Sequence, residues 1–176
     1  GWSESQEILP SLVPQIVNAR RMQESSSWRH PVVLPDLLGA TYLELDAAIE
    51  QGSEIPLQWG GHREIAELVI DGEPEETLRA MLQLLREGVA LTDLSATVAY
   101  AAARRLVHFR VTNEFGDWDT VHHTFTYSNG VDQSLRRSPS NLTARGIFDG
   151  AMAVYLDRFL NVPKQAIPNH SGESPR

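Results

Sequence analysis

The chain contains no cysteine. That absence excludes disulfides, zinc–thiolate sites, cysteine-ligated iron–sulfur clusters and thiol nucleophiles within it, so any metal must sit on His, Asp or Glu. Lysine is nearly missing too: Lys164 stands alone beside fourteen arginines, so a lysine nucleophile or Schiff base is confined to one residue near the end. Positive charge is in short supply overall. The formal net charge is −8, the opposite of the basic footprint on which nucleic-acid binding depends, and DNA and RNA are poor partners for such a surface. No apolar run approaches the roughly 20 residues that a bilayer-spanning helix needs, and the N-terminus lacks the charged-then-apolar pattern of a secretory leader. These absences predict a soluble, cytoplasmic protein with no membrane partner. Gly1 in place of Met reads as the remnant of a longer chain, leaving room for a leader or an upstream domain before it.

What is present is ordinary globular composition, 41% hydrophobic and 22% charged over 176 residues, which is about one domain's length. The apolar residues recur at helical spacing almost throughout. Ile8, Leu9, Leu12, Val13, Ile16 and Val17 mark a first helix, delayed by Pro10 and Pro14 until about Ser11. Leu37, Leu38, Leu45, Ala48 and Ile49 mark a second, from Leu34 to about Gln51, with Pro35 in its first turn and Gly52 closing it. A short helix from His62 to Ile70 comes after a loop through Trp59-Gly60-Gly61 and ends at Asp71-Gly72. Pro74 opens the next, bearing Leu78, Met81, Leu82 and Leu85 and stopped by Gly88. Thr92 or Asp93 is placed to cap a helix whose Leu94, Val98, Ala101, Ala102, Leu106 and Phe109 make an apolar face. Asp117 and Asp119 then suit a helix N-terminus and Arg136-Arg137 its C-terminus. Pro139 starts a last helix with Phe148, Ala151, Met152, Tyr155 and Phe159 as its core stripe. The strongest strand candidate is 107–111. The predicted fold is an all-α, irregular bundle of six to seven helices in a single domain over residues 1–163, with 164–176 a disordered tail.

The six histidines carry most of the chemical information. His30 and His170 lie in a loop and the tail and read as surface residues. His62 shares a helical face with Ile65, Ala66 and Val69 and points at the core. His108 ends an alanine-rich helix, and His122 and His123 open the next. Two long helices joined by a short loop pack antiparallel, which brings His108 toward the level of His122 and His123. His122, Thr126, Asn129 and Gln133 form a polar ladder on one face, beside a second stripe of His123, Tyr127 and Ser134. If the ladder is exposed it means solubility; if it is buried, its groups need one another, water or a ligand.

Two readings stand side by side. In one, His62, His108 and His122 ligate a divalent metal inside the bundle, neutral imidazole suiting iron, copper, nickel or zinc. In the other, each histidine is an isolated, hydrogen-bonded helix residue, since no short ligand motif such as His-Glu-x-x-His is present. Trp59-Gly60-Gly61-His62 lacks the lysine and glycine pattern of a phosphate loop, and no nucleophile elbow for a Ser-His-Asp arrangement is present. Asp117 and Asp119 suit the dipole of a helix start better than a catalytic carboxylate pair.

The stretch Trp118-Asp119-Thr120-Val121-His122-His123-Thr124-Phe125-Thr126-Tyr127 resembles the histidine-bearing helical segment of questin oxidase-like proteins, with His62 and His108 where that family has further histidines. The resemblance covers about Trp59 to Gln133. It implies an α-helical non-haem-iron oxidase, although family members are much longer and their carboxylated lysine ligand has no counterpart here. The segments 113–127 and 155–163 are also similar to helical regions attached to Rieske-type ferredoxin modules in bacterial proteins, which implies a ferredoxin-type redox partner. The first functional expectation is therefore a metal-dependent oxidoreductase domain acting on a small organic substrate, aromatic ones included. His62, His108 and His122 are then ligands, with His123 as proton donor or alternate ligand and Tyr127 as the other catalytic side chain. Trp59, Phe125 and Tyr127 line the pocket, and Asn129 and Gln133 contact substrate. The rival expectation is a non-catalytic helical interaction domain that docks a redox partner, its histidines on separate surfaces.

Overall fold

In the computed structural model the described residues are 13, 14, 17, 32–55 and 57–166. The expected first helix lies almost wholly outside them, as do His30, His170 and the tail beyond residue 166. The chain divides into two units, residues 1–35 and 36–176. The described residues of the second, joined by Leu34 and Pro35 at the start of its opening helix, form six α-helices and a closing 3-10 turn, with no strand. The helices are α1 (Leu34–Ser53), α2 (His62–Asp71), α3 (Pro74–Arg86), α4 (Leu91–Val107), α5 (Phe115–Arg137) and α6 (Asn141–Asp157), and the turn is Arg158–Leu160.

The punctuation seen in the sequence explains most of these ends. Pro74 occupies the first helical position of α3, where its missing N–H costs no hydrogen bond. Gly88 comes after α3 with φ of 95°, a left-handed conformation that glycine adopts without strain. Two expected starts move. α4 begins at Leu91 after Ala90, which makes no side-chain cap, so Thr92 and Asp93 lie in the first turn, Asp93 complementing the dipole there. Pro139 stays in the connection, and Ser140 caps α6 by accepting from the Thr143 N–H at 3.1 Å.

α4 is the centre of the assembly, packing most extensively on α5 and also on α2 and α6, while α5 and α6 pack on each other. Its core face runs Leu94, Val98, Ala101, Ala102 and Arg105. The opposing α6 contributes Ile147, Phe148, Ala151, Met152, Val154 and Tyr155, all buried. Glycines let helices approach: a Cβ on Gly150 would lie 3.0 Å from Ser128 Oγ and 3.3 Å from Val98 Cγ1, and one on Gly52 only 1.8 Å from the Leu85 carbonyl oxygen. α1 meets α3 and α6 through side chains. It is tied by an Arg86–Glu44 ion pair at 2.5 Å and by Asn141 donating to Asp46 at 2.9 Å.

The C-terminal end of α2 is clasped by side chains from distant sequence. The Arg105 guanidinium, 1% exposed, donates to the Ile70 carbonyl. Arg158 reaches the Asp71 and Gly72 carbonyls at 3.3 and 3.4 Å, and Lys164 pairs with Asp71 at 2.6 Å. Cations there satisfy orphan carbonyls and oppose the negative end of the helix dipole. Lys164 and Gln165, the first residues of the expected tail, are thus held by named partners: Gln165 N–H also donates to the His108 carbonyl at 2.8 Å.

Candidate functional site

The expected histidine ligands have separate engagements. His62, half-buried, places Nδ1 2.7 Å from the Thr97 hydroxyl, with the Trp59 ring against it at a centroid distance of 4.4 Å. His108 turns Nδ1 to the Gln165 carbonyl at 2.7 Å, and Asn161 donates to its backbone oxygen at 2.7 Å. His122 is exposed, its Nδ1 2.8 Å from the Trp118 carbonyl one turn earlier. His123 is exposed and stands 3.6 Å from Asp119 on its own helix. Among the described residues no group of three or more His, Asp or Glu side chains is placed to hold a metal ion.

The polar ladder of α5 faces solvent: His122, Thr126, Asn129 and Gln133 are all exposed, and Phe125 is partly so. Helix geometry buries a different polar set, Thr124, Ser128 and Asp132, between Val121 and Leu135. Asp132 accepts from Ser95 at 2.8 Å and pairs with Arg136 at 2.9 Å, so its burial is compensated by named donors.

Tyr127, expected as a catalytic side chain, lines a pocket between helices. The pocket measures about 390 Å³ and is lined as well by Tyr42, Val131, Leu142, Thr143, Arg145, Gly146 and Asp149. Three helices supply the walls: Tyr42 comes from α1, Tyr127 and Val131 from α5, and the rest from α6. Leu142, Arg145, Gly146 and Asp149 share the pocket face because spacings of three and four residues align on one side of a helix. Gly146 makes the room, since a Cβ there would meet Val131 Cγ2 at 2.8 Å and the Tyr127 hydroxyl at 3.1 Å.

The Tyr42 hydroxyl donates to Asp149 Oδ1. The Tyr127 phenol lies within the field of the same carboxylate. Burial, followed by the charge of Asp149, pushes Tyr127 up to about 12. Burial, followed by the Asp149 hydrogen bond and charge, pushes Tyr42 higher still. Both phenols are therefore protonated donors at neutral pH, and neither is poised as a general base, which works best with a pKa near the operating pH. The exposed Arg145 lays its guanidinium over the Tyr42 ring, 5.3 Å from the centroid, within the roughly 6 Å range of cation–π attraction.

A second polar cluster is internal. Asp157, 2% exposed, accepts a hydrogen bond from Thr124 and lies in the field of Arg105. Among the described residues its Oδ2 and Arg105 Nε have no hydrogen-bond partner. Burial outweighs both stabilising neighbours and pushes the Asp157 carboxyl up to about 6.

Sequence reasoning named Tyr127 but missed Tyr42, Arg145, Asp149, Arg105 and Asp157. A signal existed for two of them. Arg105 continues the Leu94, Val98, Ala101 stripe, and Asp157 falls in phase with Gly150 and Val154, so each is a charge at a core position. Asp149 and Tyr42 had no such mark. No protein-family model, curated protein or solved structure matches the chain.

Proposed function

We propose that this chain is a helical domain that binds a small organic molecule in the pocket between α1, α5 and α6, with Asp149 as the polar anchor. The observation that carries the reading is the convergence of three helices on one carboxylate at the wall of a 390 Å³ pocket. The volume is within the range of roughly 300–1,000 Å³ typical of small-ligand sites. The chemistry fits as well: Val131, Leu142 and the phenol rings supply apolar wall, while Asp149 supplies the orienting group. The Tyr42 hydroxyl holds the carboxylate in place and so makes the site pre-formed, which lowers the ordering cost of binding.

Binding is the work of the site because its titratable phenols are held away from the range useful for proton transfer. A fragment screen read by two-dimensional amide NMR tests the reading. Hits are expected to perturb α1 around Tyr42, α5 from Tyr127 to Val131 and α6 from Leu142 to Asp149. Hits that instead map to the 240 Å³ groove between α1 and α3, lined by Glu44, Glu75, Arg79 and Arg86, would refute it.

A further inference from the structure

We infer that the molecule taken by this pocket is an organic cation, an ammonium or guanidinium carried on a compact apolar body. The inference rests on the small-ligand reading and narrows it to a charge class.

The first ground is the distribution of polar groups. Among the pocket's described lining residues Asp149 is the one acid; the Tyr42 hydroxyl donates to it and the Tyr127 phenol lies within its field. A carboxylate offers about four acceptor positions; the Tyr42 hydroxyl takes one, leaving acceptor capacity for a charged donor from the ligand. Because the Tyr42 hydroxyl proton is directed at Asp149, that phenol presents the ligand with oxygen lone pairs and a ring face. These repel an anion and attract a cation, since the face of an aromatic ring carries the negative end of its quadrupole.

The second ground is that a wall of the pocket already carries a cation of the protein itself. Arg145 precedes Asp149 by one helical turn, a spacing that permits an ion pair. Among the described residues it makes none with Asp149 and instead covers the Tyr42 ring at 5.3 Å. The guanidinium thus rests on an aromatic face of the same pocket, a face that a cationic ligand reaching Asp149 could also cover. Its exposed stem leaves it free to swing aside. The third ground is long-range: a formal charge of −8 raises the local concentration of cations around the protein.

Three probes that share one ring and differ only in head group decide the matter: benzylamine, benzyl alcohol and benzoate, titrated into the whole chain and monitored by amide NMR. Benzylamine should saturate the pocket resonances with a Kd at least tenfold below that of benzyl alcohol, and benzoate should be the weakest. Arg145→Ala removes the internal occupant from a solvent-exposed position, so benzylamine should bind that variant several-fold more tightly. Asp149→Asn should reduce benzylamine to the level of benzyl alcohol. Benzoate binding more tightly than benzylamine, or loss of benzylamine binding in Arg145→Ala, would overturn the cation assignment while leaving the pocket as a ligand site. If none of the three probes shifts the pocket resonances, the site reading falls along with it.

Discussion

Asp157 should make this protein less stable as the pH rises from about 4 to about 6. Its carboxyl is 2% exposed and is pushed from 3.8 up to about 6 by burial, which outweighs the Thr124 hydrogen bond and the Arg105 charge. A folded-state pKa above the unfolded value means that the native state binds more protons in that window, so stability falls as pH rises through it and levels off above. About two pKa units at roughly 1.4 kcal/mol each correspond to about 3 kcal/mol. The perturbation is Asp157→Asn, which keeps the shape and a hydrogen-bonding side chain but cannot ionise. Urea denaturation of both proteins at half-unit steps from pH 4 to 7.5 is the assay, read as the difference between them so that groups common to both cancel. The difference should shift by about 3 kcal/mol in favour of the variant across the window. A flat difference, or wild type gaining on the variant as pH rises, would refute the reasoning and show that Arg105 dominates the carboxylate.

The packing sets four further outcomes. Arg105→Ala leaves the buried Asp157 without its nearest cation and the Ile70 carbonyl without its donor, so the urea midpoint should fall by the equivalent of about 3–5 kcal/mol. Gly130→Ala and Gly39→Ala, where an added Cβ meets nothing within 4 Å among the described residues, should each stabilise by about 0.5–1 kcal/mol in the same assay. Gly52→Ala should destabilise by about 1–3 kcal/mol, because its Cβ would fall 1.8 Å from the Leu85 carbonyl oxygen. Gly146→Val should abolish benzylamine shifts by crowding Val131 and the Tyr127 hydroxyl, while the circular dichroism spectrum remains helical.

The helical class and most helix limits were readable because proline and glycine punctuate the chain where the apolar period stops, as at Pro74 and Gly88. Ends set by weaker signals moved: Ala90 precedes α4 without a side-chain cap, although Thr92 and Asp93 are better capping types. Tyr127 was legible as a polar residue on a helix with little apolar surface. Its partners were not, because the Tyr42–Asp149 bond joins residues 107 positions apart and periodicity along one helix carries no information about which helix it meets. The ladder of His122, Thr126, Asn129 and Gln133 shows the same limit from the other side. A polar stripe reads identically whether it faces water or a cavity, and here the packing of α5 on α4 and α6 turns it outward and turns Thr124, Ser128 and Asp132 inward.

The clasp on the end of α2 ties together parts of the chain that are made far apart in time. A helix of 10 residues is marginal alone in water, yet its last carbonyls are held by Arg158 across 87 positions and its Asp71 by Lys164 across 93. During synthesis α2 emerges long before either cation exists, so until the turn after α6 is made its end lacks these two contacts and relies on Arg105 of α4. Closing so long a loop costs only modestly more entropy than closing a short one. The same contacts make the end of α2 report on the state of the C-terminal turn: whatever loosens Arg158 or Lys164 should free the amides of α2 to exchange, even with α4 and α5 intact.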